Sequence, residues 1–257
     1  MATQSNEVSK TFLKGLDLLQ SYQNGPPSMT LAELSRRTGY DRASVRRLCF
    51  SLLHAGLMVQ AGREFRLSPR VLTLAGGFLH GNGFGFDVHP LLNAQASQLE
   101  SEIGLFVRSD DQALLVAHSN AEQGNCDSGL TVGSFMPLLP TAVGRMLLAE
   151  LPSDTRFEEV KALPCEAYTS ATKTDLTAIL SEIDLAAHRK YAVVKGEFRP
   201  NIISAAVPVR IEGQTKAVIS AFLNLPLNTS DADISKKIQP LRDLAGALQK
   251  VGIFAHW

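Results

Sequence analysis

The amino-acid sequence predicts an α+β protein with two domains. We expect a small N-terminal domain of short helices and a larger C-terminal domain in which helices cover a mostly antiparallel sheet. In roughly the first 70 residues, apolar side chains recur at helical spacing between Gly and Pro breaks. Helical periodicity and strand-like alternation then follow one another through the rest of the chain, as is typical of α+β domains. The length of 257 residues agrees with two domains of ordinary size.

Charge is divided unevenly along the chain, although the net charge is zero. Residues 1–70 contain ten Lys and Arg but only five Asp and Glu, a net charge of +5, so the other 187 residues carry −5. A basic first quarter joined to an acidic remainder indicates a polyanion-binding module attached to a second functional unit.

The N-terminal domain is predicted to contain three short helices. Apolar residues at helical spacing (Phe12, Leu16 and Leu19) indicate the first, and "NGPPS" (24–28) ends it. The second begins with the T-x-x-E capping box of Thr30 and Glu33. Gly39 suits the end of that helix, because glycine readily adopts the left-handed conformation found there. Asp41 suits the N-cap of the third helix, because its carboxylate can accept a hydrogen bond from the first N–H groups.

The third helix is amphipathic. Its apolar stripe is spaced at i, i+3, i+4 and i+7 and consists of Val45, Leu48, Cys49 and Leu52. Its opposite face presents Arg42, Arg46, Arg47 and Phe50. After Gly56 the period changes, and "LMVQAGREFRL" predicts a short β-hairpin that turns at residues 61–63.

Two short helices joined by a tight turn and followed by a hairpin predict a winged helix-turn-helix, whose second helix enters the major groove of double-stranded DNA. Arginines on its outer face can pair with guanine and with phosphates. The alternative is a solvated basic helix face without a nucleic-acid partner. The predicted DNA-binding residues are Arg37, Arg42, Ala43, Ser44, Arg46, Arg47, Phe50 and Arg63.

We divide the chain into a DNA-binding domain (1–68), a linker helix with a hinge (69–87) and a second, α+β domain (88–257). Ser68-Pro69 suits the start of the linker helix. The following "GNGFGFD" is interpreted as a hinge, because no strand precedes it and the dinucleotide-binding spacing is absent.

In the C-terminal domain we predict helices at 88–104, from Thr141 onwards, at 153–163, at 172–190 and at 230–254. Strands are predicted at 105–110, 113–120, 191–197 and 203–225, with a hairpin turn at 212–214. A further strand is predicted at the start of 128–151, before a loop with two prolines.

Several stretches of both domains carry a likeness to one protein family. In the first domain these are "LKGLDLLQSYQNGPPSMTLAELSRRTGYDRASVRRLCFSLLHAGLM" and "REFRLSPRVLTLA". In the second they are "HPLLNAQASQLESEIG", "LTVGSFMPLLPTAVGRMLLAELP" and "ISAAVPVRIEGQTKAVISAFLNLP". Through them, nearly the whole chain resembles the IclR-type bacterial transcriptional regulators. The resemblance implies a winged helix-turn-helix, a linker helix and a GAF-like domain for effector binding and oligomerisation (88–257). It also implies dimers or tetramers that bind palindromic operators near catabolic genes.

The chain departs from the family pattern at several positions. Arg46 stands before Arg47 where relatives often have an aromatic residue or His, which changes the expected operator. The loop "GSFMPLLP" has Phe135 and Met136 where relatives carry a basic residue, which implies a more apolar pocket wall.

We expect the effector to bind where "LLPTAVGRM" begins a helix, because a helix N-terminus favours an anion and small residues such as Gly144 let a ligand approach the backbone. The expected ligand is a small organic acid, in particular an aromatic carboxylate. Each of three residues also has an alternative interpretation without a ligand. Phe222 would be only a core residue, Glu197 a surface acid, and Arg145 a packing or subunit-contact residue. The predicted effector-binding residues are Met136, Leu138, Thr141, Ala142, Arg145, Glu197, Asn201, Ser204, Phe222 and Asn224.

Other classes of protein are disfavoured. An enzyme that processes small molecules is the main alternative, but G-x-S-x-G, H-E-x-x-H, a phosphate loop and a Cys/His cluster are absent from the sequence, so no catalytic residue, metal or cofactor is predicted. A purely architectural DNA-binding protein would not need the second domain. Three scattered cysteines and the lack of a long apolar run or signal peptide favour a cytoplasmic protein without a membrane partner. The apolar side of the linker helix is expected to be buried between subunits.

Overall fold

The N-terminal unit of the computed structural model ends at Gly81 and alternates helices with a small sheet. The structure describes residues 8–23, 25–120 and 128–254. The elements of this unit are α1 (Lys10–Gln20), β1 (Met29–Thr30), α2 (Leu31–Thr38), α3 (Arg42–His54), β2 (Met58–Ala61), β3 (Glu64–Leu67), a 3₁₀ turn (Pro69–Val71) and α4 (Leu72–Gly81).

Local capping groups set the ends of α2 and α3, as the sequence predicts. The Glu33 carboxylate accepts a 2.8 Å hydrogen bond from the Thr30 backbone, and the Glu33 N–H donates to the Thr30 hydroxyl. Gly39 ends α2 with a φ of 71°, a value that glycine adopts without strain. The Asp41 carboxylate then accepts from the Ser44 N–H at 2.8 Å and starts α3. The predicted helix-turn-helix geometry is therefore confirmed.

The core of this unit contains Val45, Leu48 and Cys49 from the predicted stripe of α3, while Leu52 packs against it half-buried. The first helix differs from the expectation, since its buried side chain is Leu18 and its Phe12 is 65% exposed.

The predicted hairpin is present as β2 and β3, which pair from Met58↔Leu67 to Ala61↔Glu64 around a turn at Gly62 and Arg63. A pairing not predicted joins β1 to β3, so the sheet has the order β1-β3-β2. This third strand ties the wing to the start of α2.

The C-terminal unit begins at Asn82. A π-helical turn (Phe84–Val88) leads into α5 (His89–Leu99), β4 (Glu102–Ser109), β5 (Gln112–His118), β6 (Phe135–Pro137), α6 (Ala142–Ala149), α7 (Ser153–Ala162), α8 (Leu176–Arg189), β7 (Ala192–Lys195), β8 (Ile203–Ile211), β9 (Gln214–Leu223), α9 (Asp231–Lys236) and α10 (Ile238–Gln249).

Two of the predicted boundaries in this unit are wrong. The helix predicted over 88–104 ends at Leu99, because Glu100 takes a left-handed conformation (φ 52°) and β4 starts at Glu102. The single closing helix predicted over 230–254 is two helices, α9 and α10, with Lys237 between them.

The sheet of this unit has the order β6-β5-β4-β9-β8-β7, and all of its described pairings are antiparallel. Along β9, Val218 and Phe222 join the core under α6 and α8, and the alternate residues Ile219 and Ala221 are also buried. Both faces of the central strands are thus covered. All eight residues of α6 are buried as well. An antiparallel sheet covered by helices confirms the predicted α+β class.

Candidate nucleic-acid interface and effector cavity

The outer face of α3 carries the predicted arginines into solvent. Arg42, Arg46 and Arg47 are all exposed, and none of them forms an ion pair with a described residue. Arg47 donates to the Ser44 hydroxyl at 3.3 Å, a contact along the same helix face. Ala43 is exposed beside them. Cations without acidic partners at the start of a helix-turn-helix's second helix are available to DNA phosphates and base edges.

Phe50 joins this basic face to the wing. Its ring lies edge-on to Phe65 of β3, with the centroids 6.4 Å apart. The Arg46 guanidinium lies 5.2 Å from the Phe50 ring centroid, within cation–π range. Phe50 therefore supports Arg46 and also contacts the wing sheet.

The other two predicted DNA contacts lie in different settings. Arg63 is exposed in the turn at the tip of the wing. Arg37 is exposed as well, but its Nε donates a 3.0 Å hydrogen bond to the Ser21 carbonyl and so ties α2 to the end of α1. Only the outer nitrogens of Arg37 remain for a phosphate.

A small cavity in the C-terminal unit brings half of the predicted effector residues together. Its walls are formed by Leu130, Met136, Thr141, Val194, Glu197, Phe198, Arg199, Ile202, Ser204 and Phe222. The empty space between these atoms is about 330 Å³, including the mouth, but only about 20 Å³ is open to the centre of a water-sized sphere. That is room for about one water molecule.

Strand register explains why residues distant in sequence meet in this cavity. Phe222 of β9 lies opposite Ser204 of β8, and its ring contacts Phe106 edge-on with the centroids 6.5 Å apart. Phe222 is therefore both a core residue and a wall of the cavity. The Ser204 hydroxyl is half-buried and forms no hydrogen bond with the described part of the chain.

The helix start at Thr141 is built differently from the expectation. The Thr141 hydroxyl is already engaged, since it donates to the Pro137 carbonyl at 2.7 Å and accepts from the Gly144 N–H at 3.0 Å. Gly144 does not make room for a ligand, because a Cβ there would lie 2.1 Å from the backbone of Leu138. Leu138 and Ala142, predicted to contact the effector, pack in the core and do not line the cavity.

Arg145 and Glu197 form a buried ion pair. Arg145 Nη1 donates to Glu197 Oε1 at 2.9 Å and Nη2 donates to Oε2 at 2.7 Å, while Nε donates to the Leu139 carbonyl at 2.9 Å. The Lys173 N–H also donates to Glu197 Oε2, at 3.0 Å. Glu197 lines the cavity but Arg145 does not, so Arg145 is joined to this cavity through its ion pair with Glu197.

The two predicted asparagine anchors lie elsewhere. Asn201 is exposed in a left-handed conformation (φ 63°) beside the cavity. Asn224 follows the end of β9 and lines a different depression together with Ser101 and Lys237. If β9 continued, Asn224 would lie on the same face of the sheet as Phe222, two residues earlier. The strand ends at Leu223, so this alternation does not apply to Asn224.

Two side chains missed by the sequence analysis complete the cavity. Phe198 lies against Tyr168, with the ring centroids 5.1 Å apart. Arg199 is half-buried, and its guanidinium forms no ion pair or hydrogen bond with a described residue. Both lie in the "GEFRPN" loop between β7 and β8, where an aromatic residue and a cation beside Glu197 were the available signal.

A second, larger cavity shares the Arg145–Glu197 pair. It has about 340 Å³ open to a water-sized sphere and a strongly charged lining that includes Lys173, Glu182, Arg189, Lys195 and Asp231. Two of its lysines are already paired, Lys173 with Glu182 and Lys195 with Asp231.

Among residues 8–23, 25–120 and 128–254, acidic, His and Cys side chains form no cluster suited to a metal ion, and no helix is long and apolar enough to span a membrane. Cys49 is buried and Cys165 exposed, both as free thiols, and Cys126 lies outside the described residues.

Comparison with known proteins accounts for both units. The IclR helix-turn-helix domain matches residues 12–62, and the C-terminal domain of the bacterial transcriptional regulator IclR matches residues 86–249. The chain is similar to the Pca regulon regulatory protein of Pseudomonas putida, at 29% identity over 208 residues that cover 80% of this chain and 72% of that protein. It is also similar to the p-hydroxybenzoate hydroxylase transcriptional activator of Acinetobacter baylyi, at 24% identity over 93% of this chain and 90% of that protein.

The fold is also that of a solved relative. An IclR homolog from Microbacterium hydrocarbonoxydans, complexed with 4-hydroxybenzoate, has a TM-score of 0.76 at 19% identity, over 93% of this chain and 97% of that one. This likeness shows the fold, and the two domain matches show the family. The chain therefore belongs to the IclR family of bacterial transcriptional regulators; it is a DNA-binding regulator and not an enzyme.

Proposed function

We propose that this protein regulates a catabolic operon in response to a small aromatic carboxylate, which binds in the cavity between β6, β8, β9 and the start of α6. The observation that carries the proposal is the composition of that cavity. Met136, Phe198 and Phe222 supply apolar and aromatic walls, and Arg199 supplies a cation that forms no ion pair or hydrogen bond with the residues that the structure describes. Apolar walls with a few polar groups are typical of small-molecule sites.

The relatives support the aromatic class. One is the p-hydroxybenzoate hydroxylase transcriptional activator, and a protein of the same fold is complexed with 4-hydroxybenzoate. The identities of these two proteins to this chain are 24% and 19%, and the composition of this chain's own cavity therefore carries the proposed ligand class.

The cavity has to open to admit such a ligand. A space for about one water molecule cannot hold a six-membered ring. Met136 is long and flexible, and the Phe198 ring leans on Tyr168, which is 44% exposed. These side chains form the adjustable wall, whereas Phe222 is held by Phe106 in the core.

On the DNA side, the second helix of the helix-turn-helix reads the operator. Arg46, Arg47 and Arg42 contact bases and phosphates from α3, and Arg63 contacts the backbone from the wing. We further propose that the protein acts in the cytoplasm, as a dimer or tetramer on a palindromic operator. The apolar side chains of α4, which an interface would cover, are exposed; Leu72 is 68% and Leu74 63% accessible. In this arrangement residues 69–87 serve as the linker between the DNA-binding and effector domains.

The experiment is a fluorescence-anisotropy titration of the full chain on DNA from upstream of its own gene, at two salt concentrations, with and without aromatic carboxylates. We expect salt-sensitive binding whose affinity one class of aromatic acid changes, in the wild type but not in Phe222→Arg. Asn224→Ala is the matched control and should respond like the wild type, because Asn224 lies outside the cavity. DNA binding that no acid alters would contradict the sensing role, and a response that Phe222→Arg retains would move it to another site.

A further inference from the structure

The effector cavity has two polar ends of opposite character. Arg199 contributes a cation from the loop between β7 and β8, and its Nη1 lies 3.5 Å from the position that a Cβ on Gly129 would take. Glu197 contributes a carboxylate whose partners, Arg145 of α6 and the Lys173 backbone, lie in other parts of the fold. The walls between them are mostly apolar, with Met136 and Phe222 among them, and also include Thr141 and Ser204.

At the first end, the Arg199 guanidinium offers a fork of N–H donors that no described residue uses. A planar fork matches the two oxygens of a carboxylate, and it forms two parallel charge-assisted hydrogen bonds with that group. Because the side chain is only half-buried, it can adjust to an incoming anion without leaving a charge stranded in the core.

At the second end, Glu197 has one acceptor position left. Its Oε2 accepts from Arg145 Nη2 and from the Lys173 N–H, while Oε1 accepts only from Arg145 Nη1. A carboxylate oxygen accepts two hydrogen bonds, so Oε1 can take one more donor. A ligand hydroxyl fits this position, whereas a second ligand carboxylate would be repelled by the like charge.

We propose that the cavity recognises two groups on one ligand, a carboxylate bound by Arg199 and a hydroxyl that donates to Glu197 Oε1. The preferred effector is then an aromatic acid that carries a hydroxyl on the side of the ring away from its carboxylate. This inference rests on the proposed function of the cavity and names which ligand group each residue binds.

The test is calorimetric titration of the full-length protein with three probes: 4-hydroxybenzoate, benzoate and 4-hydroxybenzyl alcohol. We expect the wild type to bind 4-hydroxybenzoate about tenfold or more tightly than benzoate, because benzoate leaves the Glu197 acceptor without a donor. Arg199→Met should weaken both acids by about tenfold or more and leave the affinity for the alcohol unchanged, because the alcohol has no carboxylate for Arg199.

Two variants sharpen the comparison. Arg189→Met is the matched control, because Arg189 lies on the larger charged cavity and should not alter the affinity for any of the probes. Arg199→Lys keeps the charge but loses the fork, so its affinity for the acids should fall between those of the wild type and Arg199→Met. Equal thermal unfolding midpoints would show that the variants are folded.

The outcomes separate this inference from the proposed function. If the wild type binds none of the aromatic acids, the sensing role itself is contradicted. If the wild type binds the acids and Arg199→Met binds them with the same affinity, Arg199 does not hold the carboxylate. The same conclusion follows if Arg199→Met loses as much affinity for the alcohol as for the acids. If benzoate binds as tightly as 4-hydroxybenzoate, Glu197 does not bind a ligand hydroxyl. In the last two cases the proposed function stands and this inference fails.

Discussion

The guanidinium of Arg145 and the carboxylate of Glu197 face each other in the core, joined by two hydrogen bonds of 2.9 and 2.7 Å. Arg145 is 1% exposed and Glu197 4%. Glu197→Ala should therefore lower the free energy of unfolding by about 3–5 kcal/mol, because it leaves a buried charge without its partner. Urea denaturation followed by circular dichroism measures this loss.

The double variant Arg145→Met/Glu197→Leu is the control for that prediction. It removes both charges and refills the space with apolar groups, so it should be clearly more stable than Glu197→Ala alone. A double variant as unstable as the single one would show that the packing of the pair, and not its charge balance, stabilises this region.

Two glycines should respond in opposite directions to the same substitution. Gly144→Ala should lower the unfolding free energy by about 1–3 kcal/mol, because its Cβ would overlap the Leu138 backbone. Gly246→Ala should raise it by about 0.5–1 kcal/mol, since Gly246 lies inside α10 with no atom near the added methyl group. Thermal unfolding of both variants checks the prediction, and a stable Gly144→Ala protein would contradict the close contact with Leu138.

Arginines on α3 should control operator affinity without affecting stability. Arg46→Ala or Arg47→Ala should weaken binding to the operator by about 1–3 kcal/mol if the side chain contacts a base, and a phosphate contact should appear as a smaller salt dependence. Lys161→Ala, an exposed cation of α7, is the matched control. Anisotropy titrations at fixed salt measure the effect; unchanged affinity in both arginine variants would contradict the assignment of α3 as the recognition helix.

The capping box of α2 should make the N-terminal unit sensitive to acid. The hydrogen bond from the Thr30 backbone, followed by that from the Thr30 hydroxyl, holds the pKa of Glu33 below its ordinary value of 4.5. A lowered folded-state pKa stabilises the fold fully above pH 4.5, and this contribution is lost as the pH falls through the folded pKa. Urea midpoints measured from pH 7 downwards should therefore drop more for the wild type than for Glu33→Gln, because the Gln side chain at position 33 does not titrate. Parallel curves would contradict the prediction.

Sequence reasoning succeeded where a local signal decides the structure. The predicted helix caps are an example, because each contacts a backbone group within one helical turn of its own position. All four predicted capping residues have this role in the structure: Thr30, Glu33, Gly39 and Asp41. The face that a helix buries is less local. Phe12 and Leu18 both lie on α1, and only the packing partners, α2 and α3, determine that Leu18 is the buried one.

The effector cavity could be predicted only in part, for a related reason. Ser204 and Phe222 lie opposite each other on β8 and β9, whereas Met136 lies on β6, which β5 and β4 separate from β9 in the same sheet. The family resemblance implied such a sheet without giving the contacts across it. Arg199 was missed because a cation in a loop has no periodic pattern that indicates where its side chain lies. Asn224 was misplaced because the end of β9 depends on the following turn and not on the alternation within the strand.

The narrowness of the cavity has a consequence for the speed of the response. Because the closed form holds about one water molecule, a ring-sized ligand can enter only during the intervals in which Met136 or Phe198 has moved aside. Binding that waits for such a movement is slower than the typical encounter rate, and its observed rate levels off at high ligand concentration. The same barrier delays the departure of the ligand. Under the proposed function, we therefore expect the regulator to change its state when the supply of effector is sustained, and not during brief fluctuations.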